Sequence, residues 1–290
     1  MRTRLVRSQG LWEDTGSVRV ADTRILPAMI QEIPDNGKPV VFLSDAHLGA
    51  ASGRPDREER LVELVRSLRG SAAALFLMGD LFDFWFEYRH AVPKGTFRIA
   101  RALADLVDSG VPTIFFGGNH DFWIGSYLRD EVGLSVSQEP VVVRLQGRLV
   151  YLAHGDGLGP GDSGYKVLKR ILRAPWAIAA YRAIHPDLAI PLARRVSGYS
   201  HKHTEARERV LGRILRGVVA PRLRGEVTAM VMGHVHEPAH LCGDGRDFVL
   251  LGDWMDQMTH ARLEGGRFTL YQLDGATHRP VAAEPFPAGS

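Results

Sequence analysis

The sequence is nearly free of cysteine, since Cys242 is the single one among 290 residues. One cysteine excludes an intrachain disulfide and a thiolate cluster, and this is typical of a protein from a reducing compartment. Metal ligands, if the chain has them, are then expected among His, Asp and Asn side chains. We expect Cys242 itself to be a small buried hydrophobe.

Long hydrophobic runs are also missing. No stretch approaches the roughly 18 consecutive apolar residues of a membrane-spanning helix, and the first residues, MRTRLVRSQGLWEDTG, contain no apolar signal core. Hydrophobic residues still make up 45% of the chain, which is enough for a sizeable core. We therefore expect a soluble, cytoplasmic protein of one or two domains. The chain also has no internal repeat and no low-complexity segment.

Charge is unevenly distributed along the chain. Residues 160–225 contain 14 Lys and Arg against 4 Asp and Glu, a net charge of +10, whereas the remainder carries −7. This asymmetry indicates an anionic partner such as a phosphate, a nucleic acid or a membrane surface, with a solvated basic helix face as the alternative.

Five apolar runs each close on a polar cluster: PVVFLSDAH, AALFLMGDLFD, PTIFFGGNHD, RLVYLAHGD and TAMVMGHVH. Such runs are typical of strands buried on both faces, and helical patterns at 57–70 and 97–110 lie between the first three. The alternation predicts an α/β sandwich. The stretch FVLLGDWMDQMTHARLEGGRFTLYQL predicts further strands joined by a Gly-Gly turn, in a second and partly antiparallel sheet.

The spacing of the polar clusters locates an insertion. Successive clusters are 35, 39 and 35 residues apart from Asp45 to His154, but His234 follows His154 by 80 residues. One strand-helix unit needs about 30 residues, so roughly half of the last interval is extra. We predict a leader of unknown role (1–38), a core (39–159 and 226–276), an inserted helical cap (160–225) and a C-terminal tail (277–290).

The polar clusters carry the chemistry. They place carboxylate, amide and imidazole groups at the ends of five successive predicted strands, where open α/β sheets bind ligands. Each residue alone would be unremarkable as a capping aspartate or a hydrogen-bonded histidine. The set consists of Asp45, His47, Asp80, Asp83, Asn119, His120, Asp121, His154, His234 and His236.

Oxygen and imidazole donors without thiolate suit two divalent ions such as Mn²⁺, Fe²⁺ or Zn²⁺. Two neighbouring ions need a shared ligand, and a carboxylate can bridge where an imidazole cannot. Asp80 is the expected bridge because it directly follows a glycine at its strand end. Two-metal sites of this kind, with ions about 3.5–4 Å apart, activate water and clamp phosphate oxygens. The sequence therefore predicts hydrolysis of a phosphoester or phosphoanhydride.

The ordered motifs D-x-H (45–47), GDxxD (79–83), GNHD (118–121), HGD (154–156) and GHxH (233–236) resemble those of the calcineurin-like metallophosphoesterases over about residues 40–275. The resemblance implies a β-sandwich flanked by helices. It also implies two ligand sets that share Asp80: Asp45, His47, Asp80 and His236 for one metal, and Asp80, Asn119, His154 and His234 for the other.

The same resemblance assigns catalytic roles next to these ligands. His120 would not bind metal but would donate a proton to the phosphoryl or leaving oxygen, and Asp121 would orient and charge His120. Asp83 would orient the metal ligands without binding a metal itself.

Further stretches are similar to the UDP-2,3-diacylglucosamine hydrolases of lipid A synthesis: HGDGLGPGDSGYKVLKRILRAP, LARRVSGYS, LFDFW, NHDFW and LGDW. These enzymes split a diphosphate to give UMP and 2,3-diacylglucosamine 1-phosphate, and they use Mn²⁺. Many members have Arg where His120 stands, so this chain resembles the branch with GNHD.

A lipid substrate with a diphosphate needs cationic, polar and apolar contacts, and residues 160–225 offer all three. The resemblance implies that Asp162 and Tyr165 face the glucosamine phosphate. Lys166 is also predicted to bind the substrate. Phosphate or membrane contact is predicted for Arg194, Arg195 and Lys202, with solvated surface charge as the alternative. An acyl channel or the cap's own core would contain Leu168, Ile171, Leu172, Trp176 and Ile178. His201 and His203 are read as surface histidines rather than a metal pair.

These expectations place the enzyme at the inner face of the cytoplasmic membrane, without a spanning segment and without a nucleic-acid partner. The oligomeric state is left open. Two alternatives remain at this stage. One is a metallophosphoesterase that acts on another phosphodiester, a nucleotide or a different nucleotide-sugar diphosphate. The other is a nuclease, which the scarcity of stacking aromatics in 160–225 disfavours. A scaffold that has lost its chemistry should lack ligands, and this chain has all of them.

Overall fold

The computed structural model describes residues 31–33, 35–158, 163–197 and 207–287. Within them, two seven-stranded sheets face each other. The first sheet has the order β1-β6-β7-β8-β10-β9-β14: β1 (Gln31–Ile33), β6 (Val141–Leu145), β7 (Arg148–Ala153), β8 (Val227–Met232), β10 (Arg246–Leu251), β9 (Pro238–Gly243) and β14 (Glu284–Pro285). The second has the order β13-β12-β11-β2-β3-β4-β5: β13 (Thr277–Pro280), β12 (Arg267–Asp274), β11 (Thr259–Glu264), β2 (Val40–Leu43), β3 (Ala74–Leu77), β4 (Thr113–Phe116) and β5 (Ser135–Ser137).

The core lies between the sheets. Side chains such as Phe42, Phe76 and Val231 are fully or almost fully buried there. On the outer face of the second sheet lie α1 (Arg57–Ser67) and α2 (Phe97–Asp108), whose apolar residues recur at helical spacing and pack against its strands. The short α3 (Tyr127–Asp130) precedes β5. The predicted sandwich of two sheets with flanking helices is therefore confirmed.

All five apolar runs of the sequence form strands, divided between the two sheets. β2, β3 and β4 run parallel in the second sheet, and β7 and β8 run parallel in the first. The predicted Gly-Gly turn joins β11 to β12, and both Gly265 and Gly266 have positive φ (56° and 75°). A two-residue hairpin loop of this kind favours glycine because L side chains are strained there.

Helices follow one another between β7 and β8. They are α4 (Ser163–Leu172), α5 (Pro175–Arg182), α6 (Pro186–Ser197), α7 (Arg207–Ile214) with a π-helical turn (Leu215–Val219), and α8 (Ala220–Arg222). Among the described helices, none is both long enough and apolar enough to cross a bilayer.

The cap of the structure ends earlier in the chain than the predicted cap. Ile214, Leu215, Val218 and Val219 are buried against the outer face of the first sheet, in one cluster with its strand residues. These residues therefore belong to a flanking helix of the core, although the sequence analysis assigned 160–225 to the cap. The net charge of a segment does not reveal which of its helices has a buried apolar side. We keep the name cap helices for α4, α5 and α6.

Segments beyond both boundaries of the predicted core also join the sheets. β1, at the end of the predicted leader, pairs with β6. Within the predicted C-terminal tail, β13 pairs with β12 in one sheet and β14 pairs with β9 in the other. Residues 277–285 thus add an edge strand to each sheet.

Candidate metal centre

The loops that follow β2, β3, β4, β7 and β8 meet at one edge of the sandwich. Backbone hydrogen bonds connect them: Asp45 N donates to Gly79 O (3.1 Å), His47 N to Asp80 O (3.0 Å) and Gly233 N to His154 O (2.9 Å). Because parallel strands end at the same edge of a sheet, this edge collects the polar side chains of both sheets.

Four residues of these loops have backbone conformations that L residues rarely adopt. The φ angles are 54° at Asp45, 42° at His47, 52° at Asp80 and 69° at His234. Such conformations cost on the order of 1–3 kcal/mol each and cluster at functional sites. The carboxylates help to hold them, since Asp45 Oδ2 accepts from His234 N (2.9 Å) and Asp80 Oδ1 accepts from His120 N (2.9 Å).

Two glycines make room for this arrangement. A Cβ atom at Gly118 would collide with Asp80, including its backbone N at 2.6 Å, and one at Gly233 would collide with Ser44 and with Asp45 Oδ2 at 2.6 Å. The glycines of GNHD and GHVH therefore allow neighbouring backbone to approach the two carboxylates.

The first group of donors consists of Asp45, His47 and His236. His47 Nε2 lies 3.2 Å from His236 Nε2, and His236 Nε2 lies 3.4 Å from Asp45 Oδ1. Asp45 and His47 are fully buried, whereas the His236 side chain is 33% exposed. The three donors thus converge on one point near the surface.

The second group consists of Asp80, His154 and His234, joined by Asn119. Asn119 Oδ1 lies 3.1 Å from His154 Nε2 and 2.9 Å from His234 Nδ1. Asp80 Oδ2 lies 3.4 Å from His154 Nε2 and 3.9 Å from His47 Nε2 of the first group. The Asp80 carboxylate therefore lies between the two groups, as a bridging ligand must.

Carboxylates and imidazoles balance each other's charge at this edge. Burial alone would raise the pKa of Asp80, but the charge of His154 and the hydrogen bond to it lower that pKa overall. Burial alone would lower the pKa of His154, and the Asp80 carboxylate outweighs this effect and raises it to about 10. Asp45 raises the pKa of His236 to about 9 against the same effect of burial. A divalent cation would take the place of the protons on these imidazoles, so metal binding would release protons.

The donor set fits divalent ions. It contains carboxylate and amide oxygens with imidazole nitrogens, and the described residues of this edge add no thiolate. Hard and borderline cations prefer such ligands. The seven predicted ligand residues, which come from five separate loops, lie together in this one place.

His120 and Asp121 point to different partners. His120 Nδ1 donates to the Asp83 carbonyl oxygen at 3.0 Å, and its ring packs edge-on against that of His47. Asp121 is fully buried and accepts three backbone hydrogen bonds, from Gly118 (2.8 Å), Asp80 (3.2 Å) and Phe82 (3.2 Å).

The expectation that Asp121 orients His120 is therefore corrected. Adjacent side chains leave this tight turn in different directions, so Asp121 clamps the loops while Asp83 contacts His120. Burial, and then the charge of Asp80, raises the pKa of Asp121 to about 7. Burial lowers the pKa of His120 despite the nearby Asp80 charge.

Other residues support the loops, and the sequence analysis did not assign them this role. Arg57 is buried and donates to the carbonyl oxygens of His47 (3.2 Å) and Ala50 (2.7 Å). Asp253 accepts from Gln257 Nε2 (2.6 Å), which also donates to the His236 carbonyl oxygen. The LGDW motif gave a sequence signal for Asp253. No such signal marks Arg57, which resembles other charged residues of a surface helix.

The cap helices contact this edge. Lys169 of α4 lies 2.5 Å from Asp156, which directly follows His154 and Gly155. Trp123 Nε1 donates to Leu172 O at 2.9 Å, and the Trp123 ring stacks on Tyr181 of α5 (5.0 Å). Tyr181 also packs on Phe86 (4.6 Å). Trp123 belongs to NHDFW and Phe86 directly follows LFDFW, so both stretches lie at the contact between core and cap.

The structure describes only some of the predicted substrate-binding residues. Asp162 and Lys202, with His201 and His203, lie outside the described residues. Tyr165 and Lys166 lie in α4, and Arg194 and Arg195 in α6, but their side chains and that of Leu168 fall outside the described part. Of the proposed acyl contacts, Ile171 and Trp176 are exposed, so they do not form a core within the cap, while Leu172 and Ile178 are half-buried.

Comparison with known proteins agrees with this geometry. The sequence model of the calcineurin-like phosphoesterase family matches residues 38–238. The chain belongs to this family and is a metal-dependent hydrolase.

Its similar relatives include two proteins named UDP-2,3-diacylglucosamine hydrolase. The one from Porphyromonas gingivalis is 34% identical over 81% of this chain and 97% of its own length. The one from Aeromonas hydrophila is 33% identical over 75% and 91%, respectively. Among solved structures, the phosphoesterase YfcE from E. coli has a TM-score of 0.44 and 16% identity, over 85% of this chain and all of that one.

Proposed function

We propose that this protein hydrolyses the diphosphate of UDP-2,3-diacylglucosamine to UMP and 2,3-diacylglucosamine 1-phosphate, the reaction known from lipid A synthesis. The observation that carries the proposal is the pair of donor groups on either side of Asp80. The choice of substrate is supported by the names of the similar relatives and by the large share of each chain that the similarity covers.

In this proposal, two divalent ions are held by ligand sets that share Asp80. Asp45, His47, Asp80 and His236 would hold one, and Asp80, Asn119, His154 and His234 would hold the other. Mn²⁺ is the expected metal, with Fe²⁺ and Zn²⁺ as alternatives. When bound, such ions supply an activated water and neutralise charge on the phosphate oxygens.

His120 supplies the proton that the leaving phosphate oxygen needs. A carbonyl oxygen only accepts hydrogen bonds, so the contact with Asp83 keeps a hydrogen on Nδ1. A proton given to the substrate would then come from Nε2 of a doubly protonated ring. Since burial lowers the pKa of His120, the negative charge of bound diphosphate is what would favour this protonated form.

The cap helices are proposed to bind the acyl chains and the surface of the inner membrane leaflet. Large apolar side chains are exposed there, including Trp176 (66%), Leu188 (69%) and Leu192 (58%). Basic residues accompany them in the sequence, and each cation near an anionic leaflet contributes about 1 kcal/mol of binding. The proposed location of the enzyme is therefore the cytoplasm, peripheral to the inner face of the cytoplasmic membrane.

The substrate is tested with purified protein and Mn²⁺. UDP-2,3-diacylglucosamine, a panel of nucleotide diphosphates and an activated aryl phosphodiester are compared by kcat/KM, with Asp80→Ala as the inactive variant. Asp105→Ala on the exposed face of α2 is the matched control. Preference for the diacyl substrate supports the proposal. Efficient cleavage of an acyl-free nucleotide diphosphate instead would overturn the lipid assignment and leave the family assignment intact.

Membrane contact is tested by sedimentation with anionic liposomes. Trp176→Ala should weaken binding. The matched variant Phe97→Ala should not, because Phe97 is slightly more exposed (71%) but lies on core helix α2. Binding should also fall as salt rises. Equal effects of both substitutions, or binding insensitive to lipid charge, would contradict membrane docking through the cap.

A further inference from the structure

A second cluster of potential metal ligands lies on strands β9 and β10. His240 and Cys242 are two residues apart on β9, so their side chains point to the same face of the sheet. Asp247 of β10 lies directly opposite Cys242 in the antiparallel register. The sheet thus brings an imidazole, a thiol and a carboxylate together from residues that the sequence analysis placed in no site.

The three side chains are close enough to share one ion. One donor atom from each of His240, Cys242 and Asp247 lies within 4.8 Å of the other two. His240 is buried, whereas Cys242 and Asp247 are partly exposed, so a cation can reach the cluster. The position of Cys242 differs from the buried hydrophobe that its sequence context suggested.

A neighbouring arginine orients the carboxylate. Arg148 Nη1 lies 2.6 Å from Asp247 Oδ2, and Arg148 is itself held by the carbonyl oxygens of Thr228 (3.0 Å), Gly245 (3.2 Å) and Gly266 (3.1 Å). Asp247 Oδ1 is left facing His240 Nε2 at 2.8 Å. Ligating carboxylates are commonly fixed in this way by a hydrogen bond to their second oxygen.

We propose that His240, Cys242 and Asp247 form a zinc-binding site separate from the candidate metal centre. Thiolate with imidazole favours Zn²⁺ over Mg²⁺ or Mn²⁺, and three protein ligands leave a fourth position for water. Strand β9 leads away from His236, and at about 3.3 Å per residue Cys242 lies roughly 20 Å along the chain from it. The site therefore draws on none of the proposed phosphoesterase ligands.

Because Cys242 is the only cysteine of the chain, a thiolate–metal absorption band reports on this site alone. Co²⁺ is titrated into full-length, Mn²⁺-loaded protein, and the near-ultraviolet charge-transfer band of a cobalt thiolate is recorded. We expect a band that saturates at one equivalent and disappears when Zn²⁺ is added. Absence of the band at saturating Co²⁺, or a band that Zn²⁺ does not displace, would refute the site.

Substitutions distinguish the proposed zinc ligands from neighbouring residues that do not bind the metal. Cys242→Ser should abolish the band, and Asp247→Asn should weaken Co²⁺ binding by at least about 10-fold, as is typical even for outer-sphere partners. Asp244→Asn, an exposed residue of the same hairpin, should leave the band unchanged. An unchanged affinity in Asp247→Asn would remove the carboxylate from the site.

Wild-type protein provides a test that does not depend on the folding of a variant. At a Zn²⁺ concentration tenfold above its Kd, alkylation of Cys242 by iodoacetamide should slow about tenfold by mass action. Alkylation at an unchanged rate over the whole Zn²⁺ titration would show that no zinc binds the thiol, and the proposal would fall.

Discussion

His260 should make the protein progressively less stable in acid. Its side chain is fully buried on β11, where it stacks on Tyr271 (5.6 Å) and meets His278 edge-on (4.9 Å). Neither ring nitrogen has a hydrogen-bond partner within the described structure. Burial first, and then the charges of Arg262 and His278, lower the pKa of His260 to about 3.

The size of the effect follows from the two pKa values. The unfolded chain binds a proton on this imidazole below about pH 6.5, whereas the folded chain does so only near pH 3. Unfolding therefore takes up a proton between these values, and stability falls as the pH falls. A shift of this size is worth on the order of 5 kcal/mol in full, of which about 2 kcal/mol is lost between pH 7 and pH 5.

His260→Phe removes this titration while keeping an aromatic ring among aromatic neighbours. Thermal unfolding at pH 7 and pH 5 should show the wild type losing about 4–8 °C more than the variant. Titrating groups of the metal centre are common to both proteins, so they cancel in the comparison. His90→Phe, at an exposed histidine, should follow the wild type. A difference between wild type and His260→Phe that is the same at both pH values would refute the reasoning.

Four further predictions concern the centre and the cap. Asp80→Ala should lower metal content at both positions and abolish hydrolysis, because its carboxylate lies between the two donor groups; elemental analysis showing two full equivalents would contradict the bridge. His120→Ala should keep both metals and lose about 10²–10⁴-fold in kcat, and a normal rate would remove it from the reaction. Chelator treatment should abolish activity and Mn²⁺ should restore it, whereas activity that survives complete metal removal would exclude the two-metal mechanism. Replacing residues 175–197 with a Gly/Ser linker should impair cleavage of UDP-2,3-diacylglucosamine far more than that of an aryl phosphodiester, since remote binding energy positions the lipid substrate; equal losses would show that the cap shapes the centre itself.

Much of the architecture is readable in local patterns. Strands buried on both faces appear as continuous apolar runs, and this is why the segments before Asp45, Asp80 and Asn119 were predicted as strands. The ligand residues are readable for a related reason, because a site built on strand ends leaves its polar groups at regular intervals. The Gly265–Gly266 turn is equally local, since its conformation depends on those two residues.

Contacts between distant segments were decided only by the tertiary structure. The partner of His120 depends on the direction in which each side chain leaves a turn. In the fold, His120 Nδ1 donates to the Asp83 carbonyl oxygen, whereas the Asp121 carboxylate accepts from backbone N–H groups. The inner boundary of the cap depends on which helix has a sheet to cover.

The cluster at Cys242 shows the same division between local and distant information. Its members lie on two strands, and strand pairing brings Asp247 opposite Cys242, while Arg148 comes from a third strand. Sequence patterns determined the elements and their polar ends, because those depend on neighbours along the chain. The partners of each buried charge were determined by the fold, because they include residues as far apart in sequence as Asp45 and His234, which are 189 positions apart.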